Sequence, residues 1–491
     1  MTTGDTAPPL NPRLFGVFLA LQAAVMAGLL LLTGPERELF FTAGAAVLGA
    51  AYLVATMLHP WLVIPMLVGT TSLDISGRLV QNTPIGIPLT GFHLALALLM
   101  VALAGNAALR RRLHFPPFEV KGPLVLLLGL IALSLTWSPN QPEATISFVR
   151  LVALTLFLYL TQVLIESKTA VTAVVVSLAA CVAASSVLGL VQVLTEEFFL
   201  PASFVLAAGA NTPRAVGTFH NPNHLGTFLM VGTLFVATVV MNLRMHWLGR
   251  LVGAGVIGVG AAGLVSTFSR ANWVAGTLGL LVALGLSGKL RLRSMLVTLG
   301  VLTGGLLILQ HFLPFAEYVV TRVISIFALF TEFESKANVS GSARVHFVLA
   351  GLGMWLDHPL LGAGWRAFPV ILDLYKPEGF PHWIPTRESH TFLATLVGEL
   401  GLMGLLAGAW LAWRILSRGL RELRLMEDPL LKAVLIALIT VFVAFQISLS
   451  FTNDFTNNFL WFFTGIIFAV IHLDRRGRSC DGAARAAGEA P

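Results

Sequence analysis

The chain has 491 residues, of which 56% are hydrophobic and only 11% are charged, and its mean hydropathy is +0.84. A soluble domain carries about 25% charged residues, so this composition excludes an ordinary soluble protein and predicts a membrane protein. The net charge of +7 falls mostly in short linkers between apolar runs. We therefore interpret it as a topology signal that requires no nucleic-acid partner.

Apolar runs of roughly 18–22 residues recur along the chain, and each is long enough to cross a bilayer as a helix. The runs are continuous instead of alternating, which favours helices over strands. About fourteen are present, some short or closely spaced, so the predicted fold is all-α: a polytopic membrane protein with about 12–14 transmembrane helices. The runs are 14–33, 39–57, 60–73, 91–109, 122–137, 149–165, 170–194, 223–241, 251–267, 272–287, 295–312, 390–413, 433–450 and 458–473.

The basic linkers between these runs all fall on one side of the membrane. By the positive-inside rule this side is cytoplasmic, and both termini lie there too. The linker residues are Arg110–Arg112, Lys168, Arg244, Arg250, Lys289, Arg291, Arg293, Arg414–Arg424 and Arg475–Arg478. The predicted organisation has N-terminal spans (1–121), a span core (122–312), a large external loop domain (313–389), C-terminal spans (390–473) and a cytoplasmic tail (474–491).

The external segment 313–389 is much longer than any other linker. It contains an amphipathic stretch at 343–358 and then a region rich in glycine and proline. Its aromatic residues, such as Trp355 and Trp365, argue against disorder and predict a domain that rests at the membrane interface. Arg344 opens the amphipathic stretch. Asp357-His358-Pro359 closes it, and a helix-terminating turn is favoured there over metal or acid–base chemistry.

The first outer-face motif is PRAVGTFHNPNHLGTFLMVG at 213–232. Asn221 is a good helix N-cap and Pro222 suits the first helical position, so a helix is predicted to begin there. Free backbone N–H groups and the helix dipole would favour an anion, with Arg214 and His220 close by. The alternative is an ordinary capped span with polar residues at the interface.

The second motif, STFSRANWVAG at 266–276, places Arg270 in a short turn between two apolar spans. An ionisable residue at that depth is expensive to keep and is a functional candidate. The alternative is that Arg270 extends toward lipid phosphates.

The third motif begins with PTRESHTFLATLVGELG at 385–401. Ser389 is predicted to cap the helix, which puts His390 in its first turn, directly after Arg387. The helix dipole disfavours a cation there, so His390 would stay neutral and act as a base. The alternative is a structural histidine. Glu399, buried deeper in the helix, is interpreted as structural.

No nucleotide-binding loop or metal-binding motif is recognisable in the sequence. The segment ALGLSGKL lacks both the first glycine and the hydroxyl residue of a phosphate-binding loop. The sequence therefore predicts no cofactor and no metal.

Taken together, GTFHNPNHLG, TFSRANW, GSAR with DHPLLGAGW, and SHTFLATLVGELGLMGLL occur in the order seen in the O-antigen ligase and polymerase superfamily. The segment WSPNQPEATISFVRL (137–151) also resembles an earlier external loop of that family. The chain resembles the family from about 125 to 470, and the first four spans contribute only hydropathy.

The resemblance implies an inverting, metal-independent glycosyltransferase on the periplasmic face of a bacterial inner membrane. Its donor would be a glycan linked to undecaprenyl diphosphate, and in the ligase branch its acceptor is a sugar of the lipid A core. Arg214 and Arg270 would hold the pyrophosphate, and His390 would act on the acceptor. The remaining implied substrate-binding residues are Arg344, Arg387, His220, Asn221 and Asn223. His220 departs from the family, which has a small residue there.

Other functions remain open at this point. Related branches transfer the glycan to another repeat unit or to a protein hydroxyl, so a polymerase or a protein O-oligosaccharyltransferase is possible. A transporter of the same lipid-linked glycan would have broken or charged helices at mid-membrane in two related halves. No such halves are recognisable, and the polar residues gather at one face.

Overall fold

The computed structural model describes residues 49–73, 91–110, 115–196, 214–219, 221–289, 293, 339–377, 380, 389, 391–452 and 455–486. The predicted spans 14–33 and 295–312, and the first part of 39–57, lie outside these residues. Within the described ranges the regular structure is helical, with no strand. The predicted all-α fold class is therefore confirmed.

Fourteen α-helices follow one another along the described residues. The N-terminal ones are α1 (Gly49–Leu58), α2 (Val63–Leu73), α3 (Gly91–Arg110), α4 (Lys121–Ser134), α5 (Gln141–Leu164), α6 (Lys168–Thr195) and α7 (Pro222–Asn242). The remaining ones are α8 (Trp247–Ser266), α9 (Arg270–Leu286), α10 (Val339–Asp357), α11 (Phe368–Ile371), α12 (Phe392–Leu425), α13 (Pro429–Leu449) and α14 (Asn458–Ala486).

Eight of the described helices are long and apolar enough to cross a membrane: α3, α5, α6, α7, α8, α12, α13 and α14. Four apolar segments are shorter: Gly49–Leu58, Pro60–Thr70, Lys121–Ser134 and Arg270–Leu286. This composition and length confirm a polytopic helical membrane protein. The total count of about 12–14 spans stays a prediction, because two predicted spans lie outside the described residues.

The helix α5 begins earlier than the apolar run that predicted it. It starts at Gln141, with Pro142 in its first turn, where proline is tolerated because that N–H needs no partner within the helix. Most of the segment 137–151 is therefore helical, and its interpretation as an external loop is wrong from Gln141 onward.

The helices α7 and α13 form the centre of the bundle, and their side chains are buried on nearly all sides. Small residues allow neighbouring helices to approach them closely. A Cβ on Gly263 of α8 would lie 2.8 Å from Ser186 of α6, and one on Gly279 of α9 would lie 2.9 Å from Ala444 of α13. Such small-residue contacts are typical of helix packing in membranes, where backbones must approach without a hydrophobic driving force.

The part of the external segment that is described has a small core of its own. The helix α10 packs one face against α12 and contributes to a cluster that also includes residues after it. The cluster comprises Phe347, Ala350, Met354, Phe368, Leu372 and Phe380. The prediction of an ordered segment between the spans is confirmed for these residues.

The basic linkers meet at one end of the bundle, here called the basic end. Lys168, the first residue of α6, forms an ion pair with Asp428, before α13, at 2.5 Å. Arg475 of α14 bonds both Glu119, before α4, and Glu422 near the end of α12, at 3.0 and 2.7 Å. These contacts bring together the linkers before α4, α6 and α13 and the ends of α12 and α14. That all the basic linkers lie on one side of the membrane stays a prediction.

Candidate anion site at the end opposite the basic linkers

Arg214 is attached to the turn between α8 and α9. Its Nε donates to the carbonyl oxygen of Thr267 at 2.9 Å, and its Nη2 donates to Oδ1 of Asn223 at 3.3 Å. The backbone supports the same placement, because Ala215 N donates to Ser266 O at 3.0 Å. These bonds orient the Arg214 guanidinium toward the start of α7.

The start of α7 has the capping geometry that the sequence predicted. Asn221 is the N-cap, its side chain accepts a hydrogen bond from Asn223 N at 2.8 Å, and Pro222 occupies the first helical position. The N-terminal end of α7 thus lies beside Arg214, because Asn223 in its first turn accepts the hydrogen bond from the Arg214 guanidinium. The helix dipole and the guanidinium favour negative charge at the same place.

Asn272 joins these elements, and the sequence analysis did not single it out. This fully buried amide donates from Nδ2 to Asn223 O and Ser269 Oγ, both at 3.0 Å. Its Oδ1 accepts from Thr227 Oγ1 at 3.2 Å and Ser448 Oγ at 3.0 Å. These four bonds use both donors and both acceptor positions of the amide. Asn272 therefore fixes the start of α7, the cap of α9 and the end of α13 relative to one another.

The turn that carries Arg270 has an unusual backbone. Phe268 is buried and adopts a φ of +51°, in the left-handed region that side chains other than glycine rarely occupy. Such a conformation costs about 1–3 kcal/mol and persists only where its surroundings enforce it. Thr267 supports the turn by accepting the Ser269 N–H at its Oγ1. Arg270 follows at once as the first residue of α9.

Arg344 of α10 lies close to Arg270, although 74 residues separate the two in the sequence. Burial lowers the pKa of Arg344 to about 10, and the positive charge of Arg270 adds to that effect. The Nε of Arg344 is buried, and it has no hydrogen-bond partner among the described residues. The charges of Arg270 and Arg344 thus act on each other in a partly buried place, and the Arg344 Nε is a donor with no acceptor among the described residues. This arrangement suits a bound anion.

Residues 255–409 match the family model of the O-antigen ligases. The chain contains a domain of the O-antigen ligase superfamily. The resemblance inferred from the motifs is confirmed for these residues, and the domain is that of a glycosyltransferase-like enzyme in a multi-pass membrane protein. The motifs before residue 255 lie outside the match. No curated protein sequence matches the chain.

The matched ligase domain extends from within α8 to the middle of α12. It includes Arg270, Arg344, Arg387 and His390. Arg214, Asn221 and Asn223 precede it in sequence, and Arg214 and Asn223 are joined to it by the hydrogen bonds to Thr267 and from Asn272.

Three predicted site residues, His220, Arg387 and His390, lie outside the described residues. The described residues that follow them locate the start of α12. Phe392 N donates to Thr452 O at 3.1 Å, just beyond the end of α13, and Ser448 of α13 bonds Asn272. The start of α12 is therefore at the same end of the bundle as the arginine turn.

The prediction that Ser389 caps α12 is wrong. The helix begins at Phe392, with Thr391 as its N-cap, so position 390 precedes the first turn. The hydroxyl of Ser389 is instead bonded to Thr391 O at 2.8 Å and to the hydroxyl of Thr395. A neutral state of His390 can therefore not be argued from a place in the first helical turn.

The turn at Asp357-His358-Pro359 ends a helix, as predicted. The helix α10 ends at Asp357, whose carboxylate accepts a hydrogen bond from the Tyr375 hydroxyl at 2.9 Å. The Asp357 carboxylate thus contributes to the packing of the external segment.

Proposed function

We propose that this protein is an inverting, metal-independent glycosyltransferase that moves a glycan from undecaprenyl diphosphate to a sugar hydroxyl of the lipid A core. The observation that carries the proposal is the turn 266–270 in the matched O-antigen ligase domain. Arg214 is hydrogen-bonded to this turn, Arg270 begins the helix that follows it, and the charge of Arg270 acts on Arg344. The reaction would take place on the periplasmic face of a bacterial inner membrane.

Arginines suit the departure of a lipid diphosphate. When the bond from the anomeric carbon to the phosphate oxygen breaks, negative charge develops on the diphosphate, and positioned cations stabilise that charge. The planar guanidinium fork binds two phosphate oxygens at once. The donor is already activated by its diphosphate, so the transfer requires no ATP.

His390 is proposed as the general base. The acceptor hydroxyl has a pKa far above 7, so a neutral imidazole would take its proton as the new glycosidic bond forms. The assignment rests on the match of SHTFLATLVGELG to the family motif and on the place of its neighbour Phe392, beside the end of α13. Attack from the face opposite the leaving diphosphate inverts the anomeric configuration.

The other polar residues have supporting roles in the proposal. Asn223 orients the Arg214 guanidinium, and Asn221 caps α7 so that its N-terminal end faces the diphosphate. Arg387 and His220 are proposed to contact the donor or the acceptor.

The orientation follows from the charge distribution. The basic end carries the linkers with Lys168, Lys289 and Arg414–Arg424 and the helix end with Arg475–Arg478, and the positive-inside rule assigns such an end to the cytoplasm. The arginine turn is at the opposite end, so it would face the periplasm, and both termini would be cytoplasmic.

The proposal is tested with the purified full-length protein in lipid nanodiscs, given undecaprenyl-diphosphate-linked glycan and lipid A core. His390→Ala should lose about 10²–10⁴-fold in transfer, the usual contribution of base catalysis, while donor binding persists. His246→Ala is the matched control, because His246 lies before α8, at the basic end, and should leave transfer unchanged.

Several outcomes would change the assignment. Near-normal transfer by His390→Gln would mean that the residue positions the acceptor and that another group is the base. Transfer only to a second glycan repeat or to a protein hydroxyl would identify a polymerase or a protein oligosaccharyltransferase. Movement of the donor across the bilayer without any transfer would identify a transporter.

A further inference from the structure

The helix α12 is interrupted at Gly401, where φ is +62° and ψ is −157°. The backbone groups around this break bond the external segment instead of their own helix. Leu402 N and Met403 N donate to Pro359 O and Leu360 O at 2.9 and 3.1 Å. In the other direction, Ala363 N and Gly364 N each donate at 2.9 Å to Gly398 O and Glu399 O.

The side chain of Glu399 extends this junction. It is 1% exposed, and both carboxylate oxygens accept backbone hydrogen bonds: Oε2 from Arg366 N at 2.8 Å and Oε1 from Phe368 N at 3.0 Å. A buried carboxylate is costly unless it is hydrogen-bonded. The six bonds together attach the segment 359–368 to the helix at 398–403.

The approach of the two backbones leaves no room for side chains. A Cβ on Gly401 would lie 2.6 Å from Leu360 C, and a Cβ on Gly362 would overlap the backbone of Glu399. Both glycines also have positive φ values, which other residues rarely adopt. The junction is therefore closely fitted, and small changes within it must move one of the two segments.

The segment on one side of this junction carries Arg344, and the helix on the other side follows His390. The helix α10, with Arg344 near its beginning, packs alongside the first turns of α12. A Cβ on Gly351 would lie 2.9 Å from Ala394 O, and one on Gly398 would lie 3.2 Å from Met354 Sδ. Eleven residues after α10 ends, Glu399 holds the chain at Phe368.

We propose that Glu399 is a positioning residue that sets the distance between the anion site and the proposed base. It acts by fixing the external segment, and with it Arg344, against the helix that begins just after His390. The predicted effect on transfer rests on the proposed function. The attachment of segment 359–368 to α12 is shown by the six hydrogen bonds and does not depend on that function. The role proposed for Glu399 is indirect, because it acts through the backbone of Arg366 and Phe368 that it holds.

A carboxylate is needed because two N–H donors require two acceptor oxygens. Glutamine offers one acceptor oxygen and would direct its NH₂ group at the second N–H. An unsatisfied buried donor is destabilising, and the segment would move to relieve it. Glu399→Gln should therefore alter the position of the external segment at almost unchanged side-chain volume.

The first arm of the test is kinetic. For Glu399→Gln we expect kcat to fall about 10-fold or more, because a small misplacement of reacting groups can cost about 10²-fold. The donor KM should rise less than in Arg344→Gln, because Arg344 is displaced but keeps its charge. Glu422→Gln is the matched control: it removes a buried carboxylate from the same helix at the basic end, and it should leave kcat and KM unchanged. Equal kinetics for the two variants would overturn the proposal.

The second arm measures the attachment without any substrate. In protein with Cys181→Ser and Cys480→Ser, spin labels replace Leu349 on α10 and Leu420 near the far end of α12, both exposed. Their separation should be about 40 Å from the helical rise. Glu399→Gln should broaden or shift the distance distribution, and Glu422→Gln should not.

The two arms separate the possible failures. An unchanged distance distribution in Glu399→Gln would overturn the attachment, whatever the activity. A changed distribution with unchanged kcat would overturn the positioning role. If the wild-type protein transfers no glycan, the proposed function fails, and the distance arm still decides the attachment.

Discussion

The two ends of the bundle use arginine in opposite ways. At the basic end the arginines meet carboxylates: Arg475 bonds Glu119 and Glu422, Arg478 bonds Glu422 at 2.9 Å, and Arg418 bonds Glu119 at 3.0 Å. These pairs link the ends of α12 and α14 to the chain just before α4. Their charges largely compensate one another, so the cluster is a structural connection between helices.

At the arginine turn, the acceptors that orient Arg214 are neutral: a backbone carbonyl and an amide oxygen. Arg344 keeps a buried Nε that no described residue accepts from, and it lies near a second cation, Arg270. The comparison teaches that buried carboxylates mark the connecting arginines of the basic end, whereas the arginine turn has two cations that act on each other and a buried donor, the Arg344 Nε, with no acceptor among the described residues.

The largest expected effect separates the two ends directly. Arg214→Ala should reduce transfer by about 10²–10³-fold, the usual cost of one missing donor at a developing oxyanion. Arg214→Lys should recover little, because the two-pronged geometry is lost. Arg421→Ala is the control: its Nε also donates to a backbone carbonyl, that of Ser417, but near the basic end. If Arg214→Lys transferred glycan at the wild-type rate, Arg214 would not bind the diphosphate through both prongs of its guanidinium.

A smaller effect, which depends on pH, concerns Arg344. Its pKa of about 10 keeps it charged up to about pH 9, so the donor KM of the wild type should be flat below that. Burial and Arg270 would also lower the pKa of a lysine, which starts from about 10.4. The cation is lost as pH rises through its pKa, so in Arg344→Lys the donor KM should rise several-fold between about pH 7 and 9.

Arg344→Gln provides the reference for this experiment, because it should have a raised donor KM at every pH without a slope. A flat profile for Arg344→Lys, equal to the wild type, would mean that Arg344 does not contact the donor or that its surroundings do not disfavour a cation.

The spans and the capped start of α7 could be predicted because their signals are local. A continuous apolar run indicates a membrane helix, and α7 and α13 lie within a few residues of the runs at 223–241 and 433–450. Asn221-Pro222 is a capping pattern within two residues. The arginines at 214, 270 and 344 stand out in the sequence because they oppose the charge rule.

The contacts that organise the site could not be predicted, because they join distant parts of the chain. Asn272 lies in the same motif as Arg270, but only the structure reveals that its amide bonds residues of α7 and α13. The break at Gly401 depends on a partner 40 residues earlier in the chain, so the run GELGLMGLL looks like an uninterrupted helix. The prediction that Ser389 caps α12 is wrong because its hydroxyl forms hydrogen bonds with Thr391 O and the Thr395 hydroxyl. Capping patterns in the sequence do not indicate which of these local bonds a serine makes.

The smallest expected effect on transfer comes from Glu119→Gln, which tests the other half of the comparison. Burial alone would raise the pKa of Glu119, but the hydrogen bonds from Arg418 and Arg475 outweigh it and hold the pKa below the usual 4.5. Each bond to a charged group contributes about 1.5–3 kcal/mol, so the variant should melt at a lower temperature than the wild type at pH 7. Since Glu119 is at the basic end, far from the arginine turn, kcat and donor KM should not change.

The pH dependence has a definite sign. A carboxylate with a depressed pKa stabilises the folded state above the unfolded pKa of about 4.5, and it loses that contribution as pH falls through the folded value. Acidification below about pH 4.5 should therefore lower the melting temperature of the wild type more steeply than that of Glu119→Gln, until the two converge. The contrary result would be reduced transfer by Glu119→Gln at pH 7 with an unchanged melting temperature. In that case the basic end would take part in the reaction, and its arginine–carboxylate pairs would not be purely structural.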